Sequence, residues 1–437
     1  RQHYLDVIRG AYDYLQTNQV FATGGYGPWE RLMPRKELVE SLDGPFTTKH
    51  FETQCGSWAA FKLCKYLIRF TGDAKYGDWI ERLIYNGIGA SLFMSQGRVM
   101  YESDYHCGGA TKVNTTDAWS CCAGTRSMAI ADYADLVCFH DRDSLYVNLF
   151  TPFTVRWPHA GETVVLRQKT AFPEKQETEF NVSMPQPTRF GLHLRAPGWL
   201  AGAMNARLNG SPIELRRHAS GWLGVEREWR DGDQLNVQLP MKLEWDTMDR
   251  ERVYPGAVRY GPVVLAVRSE GLSPASAIDP QNLSRSLLAE EGSPLHFRLA
   301  SAPSLVARPF YDFREAERYF IYFDPRWTNR VSARDFEYHG KWVWGTSSEA
   351  GAWAACSFVG STVRWLGRRS DNGGCAEVML DGQAVATVDQ FSQDPKATVS
   401  WEQTGLSPGR HTIRITVLAE KNPASGGNLI TIDGLSL

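Results

Sequence analysis

Hydrophobic and polar positions change their period once along the chain, near residue 142. Before it, apolar residues recur at helical spacing. Tyr4, Leu5, Ile8, Ala11, Tyr12 and Leu15 predict a helix over about 3–17. Trp58, Phe61, Leu67 and Ile68 predict another from about Glu52 to Phe70, broken by Thr71-Gly72-Asp73. Asp73 is placed to cap a third helix carrying Tyr76, Ile80, Leu83 and Ile84. A fourth starts near Thr125, carries Met128, Ala131 and Leu136, and ends near Phe139. Between the first two helices runs a glycine-rich loop, Thr23-Gly24-Gly25-Tyr26-Gly27-Pro28.

From residue 144 the period becomes two. Leu145, Val147 and Leu149 alternate with Tyr146, Asn148 and Phe150, as do Leu235, Val237 and Leu239 with their neighbours. Ala206-Arg207-Leu208-Asn209-Gly210 reads as a strand entering an Asn-Gly hairpin. Short strands with regular turn signals predict a β-sandwich. Residues 270–330 are less regular and hold one aromatic run, Tyr319 to Phe323. Alternation returns at Val378-Met379-Leu380-Asp381-Gly382 and at Ile413, Ile415 and Val417, which predicts a second, smaller sandwich. The expected organisation is multidomain α plus β: a helical unit over 1–142, a sandwich over 143–330 and a terminal sandwich over 331–437. Length supports this division, since 437 residues correspond to about three domains.

Composition narrows the function. A net charge of −2 gives no reason to expect nucleic acid or an acidic membrane surface as partner, and no apolar run approaches the ~20 residues of a membrane span. With 15 Trp, 17 Tyr and 20 Phe the chain can build a large core or offer flat faces for stacking on ligands. The chain opens on Arg1-Gln2-His3-Tyr4, already in the helical pattern, so further helices are expected upstream, in the same polypeptide or in a partner fragment.

Eight cysteines remain to be explained, and a chain of this size needs no disulfide scaffold. Cys121-Cys122 precedes a predicted helix N-terminus, where exposed N–H groups favour a thiolate. Glu52 and Cys55, spaced i, i+3 at a predicted helix start, are expected on one face. Three thiols and a carboxylate suit a tetrahedral zinc ion, which also deprotonates the thiol that would act as nucleophile. His50, His106 and Cys107 are rival ligands by residue type. Buried core thiols are the plain alternative. In the terminal segment, Cys356 and Cys375 could form a disulfide.

Phe51-Glu52-Thr53-Gln54-Cys55 and Trp119-Ser120-Cys121-Cys122-Ala123-Gly124-Thr125 together resemble glycoside hydrolase family 127, whose best-known members are β-L-arabinofuranosidases. Further similar pieces are Thr23 to Gly27, Arg195-Ala196-Pro197-Gly198-Trp199, Leu239-Pro240-Met241 and Tyr260-Gly261-Pro262-Val263. The resemblance spans about residues 1–270. It implies a partial (α/α)6 barrel followed by two β-sandwich domains, and a retaining glycosidase with Cys121 as nucleophile and Glu30 as acid and then base. It implies zinc held by Glu52, Cys55, Cys121 and Cys122, a carbohydrate substrate, and His50, His106 and Trp119 as sugar contacts. The family pattern has one residue between Glu and Cys where this chain has Thr53 and Gln54, and a further Cys where this chain has Ser120. The terminal segment resembles carbohydrate-binding modules, which points to a secreted or periplasmic protein. Two other readings are a polysaccharide lyase, using Tyr101, Tyr105 and His106, and a non-catalytic carbohydrate-binding protein.

Overall fold

The computed structural model describes residues 2–44, 50–91, 99–115, 121–218 and 220–437. Among the described residues five α-helices open the chain: α1 (Gln2–Asn18), α2 (Arg35–Asp43), α3 (Gln54–Thr71), α4 (Tyr76–Leu83) and α5 (Cys121–Val137). The helix α2 was not predicted, because its nine residues carry only Leu38, Val39 and Leu42 as a buried stripe. Helix α3 packs on α1, α4 and α5 around Phe61, Leu67, Trp79, Ile80, Leu83 and Leu136. A three-stranded sheet borders these helices: β1 (Glu52–Thr53), β2 (Val99–Ser103) and β3 (Val113–Thr115).

Residues 138–238 form two facing sheets. One holds β4 (Cys138–His140), β5 (Ser144–Val147), β9 (Thr188–Arg195), β12 (Arg216–Arg217) and β13 (Trp222–Trp229). The other holds β6 (Phe153–His159), β7 (Glu162–Thr170), β8 (Glu177–Ser183), β10 (Ala206–Leu208), β11 (Ser211–Ile213) and β14 (Gln234–Gln238). Alternation decides which way each residue faces. On β9, Phe190, Leu192 and Leu194 enter the core between the sheets. His193 and Arg195 therefore point to the opposite face, where the helices lie.

An eight-stranded sheet follows between Leu243 and Phe323. The irregular stretch of the sequence is thus ordered, with Tyr319–Phe320 and Tyr322–Phe323 as separate short strands that pair with the strands Val263–Arg268 and Gly256–Tyr260. Val263, Leu265 and Val267 of this sheet pack into the sandwich core, whereas Val264 and Ala266 pack with Phe21, Leu38, Phe51 and Tyr105 of the helical unit. One sheet thus serves two cores. Residues 330–437 have a core of their own, built on the long antiparallel pair of Trp353–Arg369 with Lys396–Val417. All eight cysteines are free thiols, so the disulfide considered for Cys356 and Cys375 is not formed.

Arg195 ties the helices to the sandwich. Its side chain is fully buried. It is ion-paired with Asp78 and, at 2.6 Å, with Glu81 of α4, and its Nε donates to Asn148 O at 2.6 Å. Trp199 Nε1 donates to Glu81 Oε2 at 2.7 Å, and Gly198 N to Asp78 Oδ2 at 2.9 Å. The Arg-Ala-Pro-Gly-Trp segment thus works as a structural clamp on α4. Replacing one member of such a pair strands a buried charge. Arg195→Ala is expected to destabilise the chain by about 3–5 kcal/mol in urea denaturation, against near-neutral changes for exposed arginines such as Arg142.

Candidate active site

The sequence places three thiols at two helix starts, and the fold brings those starts together. Helix α3 begins one residue before Cys55 and α5 begins at Cys121. Asp132 fixes their alignment further along: it accepts from Trp58 Nε1 at 3.0 Å and pairs with Lys62 at 2.9 Å and Lys65 at 3.3 Å. Cys55 Sγ then donates to Cys121 Sγ at 2.9 Å and lies 3.5 Å from Cys122 Sγ and 3.4 Å from Thr125 Oγ1. The three sulfur atoms all lie within 4.8 Å of one another. Three thiolates on tetrahedral zinc, each ~2.3 Å from the ion, sit about 3.8 Å apart. The group fits such an ion once its tightest pair opens by about an ångström. Thr125, which also donates to Cys121 O at 3.0 Å, was not singled out from the sequence. Its position one turn after Cys121 is the signal that would have found it.

The surroundings of Cys121 and Cys122 oppose loss of their protons. The hydrogen-bonded contact with Cys55, then burial, and the further electrostatic influence of Cys55 and of the Glu30 carboxylate push the Cys121 thiol up. Burial pushes Cys122 up. The helix N-terminus expected to favour the thiolate is thus opposed by its acidic neighbours. Cys121 is the exposed member, Cys55 is half-buried and Cys122 buried.

Glu52 stands apart from the sulfur group. The i, i+3 argument needs a helix at Glu52, but α3 begins at Gln54, and Glu52 is on the short strand β1. Its fully buried carboxylate takes hydrogen bonds from Ser103 Oγ at 3.2 Å and Thr23 Oγ1 at 3.4 Å. Gly25 makes this possible, since a Cβ there would stand 0.8 Å from Glu52 Oε2. Burial pushes Glu52 up to about 7, against the lowering effect of the Tyr105, Ser103 and Thr23 hydroxyls.

The glycine loop also positions Glu30. Trp79 Nε1 of α4 donates to Gly24 O at 2.7 Å and anchors the loop. At its far end Trp29 (φ 53°) and Glu30 (φ 59°) are successive left-handed residues. Neither is glycine, so each is strained, and such strain persists where the surroundings over-determine it. Glu30 is exposed, and its charge reaches the Cys121 thiol. Trp29 packs on the buried His50 (5.7 Å between ring centres) and on Trp344 of the terminal sandwich (5.9 Å).

Two expected sugar contacts fare differently from His50. His106 is fully buried, its Nε2 bonded to Gly44 O at 2.8 Å and its Nδ1 accepting from Gly108 N at 3.0 Å. Burial and the nearby Arg334 hold it near pKa 3, so it is a neutral structural residue with no face open to a ligand. Trp119 lies outside the described residues. Tyr105 is also fully buried, which removes two of the three side chains of the lyase reading.

Residues 1–135 match the β-L-arabinofuranosidase GH127 catalytic domain, and residues 144–241 match the GH127 middle domain, together more than half of the chain. The chain belongs to glycoside hydrolase family 127. Its fold is similar to a GH127 β-L-arabinofuranosidase from Geobacillus stearothermophilus T6 (TM-score 0.55, 18% identity, 72% of this chain and 55% of that one). It is equally similar to another GH127 β-arabinofuranosidase (TM-score 0.55, 18% identity, 71% and 55%). The chain thus spans about half the length of these relatives. A short segment also resembles two Flavonifractor plautii proteins. One is an A type blood α-D-galactosamine galactosaminidase (41% identity over 69 residues, 16% of this chain and 6% of that protein). The other is an A type blood N-acetyl-α-D-galactosamine deacetylase (36% over 73 residues, 17% and 10%).

The Glu52 environment gives a pH signature in the metal-free chain. Folded, its carboxyl keeps its proton to about pH 7; unfolded, it loses it near 4.5. The folded state binds the extra proton between these values, so stability falls as pH rises through that window. Glu52→Gln, which stays neutral, is expected to flatten this fall by up to about 3 kcal/mol between pH 4.5 and 7.5 in urea titrations. An unchanged pH dependence would show that the carboxylate ionises freely.

Proposed function

We propose that this chain carries the catalytic centre of a retaining glycoside hydrolase acting on β-L-arabinofuranosides, with Cys121 as nucleophile and Glu30 as acid and base. The observation that carries the reading is the convergence of three thiols beside a carboxylate whose charge reaches the most exposed of them. Cys55, Cys121 and Cys122 would hold a zinc ion. When bound, zinc supplies the charge that removes the thiol protons at neutral pH. The helices α1, α3, α4 and α5 are read as part of an (α/α)6 barrel, a reading supported by their packing around α3.

The chain's own residues then divide the work. Cys121 Sγ attacks the anomeric carbon as the bond to the leaving oxygen breaks, and Glu30 gives that oxygen its proton. Glu30 next takes a proton from water, whose oxygen attacks the same carbon and breaks the C–S bond. Two inversions leave the configuration retained. Trp29 and Trp344, about half exposed, are placed to take the flat face of the sugar beside Glu30.

Four measurements test this on aryl β-L-arabinofuranosides. Cys121→Ser is expected to abolish turnover with the fold intact. Glu30→Gln is expected to lower kcat by about 10²–10⁴-fold, least for substrates with good leaving groups. A metal-free preparation with full activity would overturn the zinc-thiolate reading. Trp344→Ala is expected to raise KM several-fold with kcat nearly unchanged, as removal of a binding face does.

A further inference from the structure

A second group of metal-ligating side chains lies on the helix-facing side of the sandwich. His193 on β9, Glu226 on β13 and His218 in the turn before β13 place ligand atoms within 4.8 Å of one another. The register explains the meeting. Gly224 lies opposite His193 and Glu226 opposite Gly191, so His193 and Glu226 are diagonal neighbours on one sheet face. The missing side chains at Gly191 and Gly224 make room for the imidazole. A Cβ at Gly224 would stand 2.0 Å from His193 Nδ1, and one at Gly191 2.6 Å from Nε2.

The His193 ring is built as a ligand is. It is 2% exposed and stacks on Tyr146 at 4.8 Å. Its Nε2 is bonded to Ser144 Oγ at 3.3 Å. Its Nδ1 is buried and has no hydrogen-bond partner. A buried imidazole nitrogen left open costs free energy, and the hydrogen bond at the other nitrogen is what usually fixes a metal-binding tautomer. His218 meets the ring edge-on, 4.2 Å between centres, without a hydrogen bond between them. It also lines a neighbouring cleft of about 730 Å³ with Tyr146, Trp222 and Asp141, which gives an ion a way in. His218 and Glu226 lie toward solvent and can close the remaining gap by changing rotamer.

We propose that His193 Nδ1, His218 and Glu226 form a second zinc site, with water in the fourth position. Two imidazoles and one carboxylate suit a borderline divalent ion such as Zn²⁺ better than Ca²⁺ or Mg²⁺. The site is structural. It pins His218 beside the start of β13, where Trp222 Nε1 donates to Gly72 O (2.7 Å) and Ser220 O accepts from Ala74 N (2.8 Å) of the α3–α4 loop.

The test is zinc analysis and Co²⁺ titration of the full chain and its variants. The expected result is one equivalent that binds without thiolate charge-transfer absorption, is kept in Cys121→Ser, and is lost in both His218→Ala and Glu226→Gln. Ser144→Ala, which removes the hydrogen bond at His193 Nε2, is expected to weaken that equivalent about 10–100-fold. Because His218 and Glu226 are not core residues, their variants are expected to keep the circular dichroism of the parent. Zinc content and affinity unchanged in both variants, or cobalt bound only with thiolate absorption, would overturn the site and leave the reading of the cysteine group untouched.

Discussion

The buried guanidinium of Arg195 is the fixed point from which the candidate active site is suspended. It holds Asp78 and Glu81 of α4 against the sandwich. The same helix carries Trp79, whose indole holds Gly24 of the glycine loop. That loop lies on Glu52 through Gly25 and ends in the strained pair Trp29 and Glu30. A charge cluster in the sandwich thus fixes the carboxylate expected to move a proton. Burying that charge is tolerable only because both partners come from one helix turn and are themselves braced by Trp199 and the Gly198 amide.

Much of the fold was legible as periodicity. The change from period 3.6 to period 2 near residue 142 marks where helices give way to sheets, and the helix around Trp58 to Ile68 was found with its end correct to within a residue. Start positions were less legible. The pattern fits a helix beginning at Glu52, but the chain makes a two-residue strand first, and this turns Glu52 away from Cys55. No local signal announces that, since the strand exists only by pairing with Ser103 and Glu102, some fifty residues away.

The candidate site was legible where chemistry is concentrated and illegible where it depends on burial. Adjacent cysteines before a helix mark themselves by residue type. His106 carries the same type-level promise, yet both ring nitrogens are used by Gly44 and Gly108. His193 shows the converse. It reads as one polar residue in an alternating strand, and only the register with Gly224 shows that a nitrogen is left open there.

The terminal sandwich has a core that it shares with no other part of the described chain, yet one tip of it reaches the loop of Glu30. That tip is a tight hairpin in which Val343 and Thr346 exchange backbone hydrogen bonds and Trp344 takes a left-handed conformation. An element that folds on its own core can be altered, lengthened or traded without unsettling the thiols. Its tip would nonetheless change the wall on which the sugar is proposed to rest. The chemistry of the site and its taste in ligands are thus written in separate parts of the chain, and can evolve at different speeds.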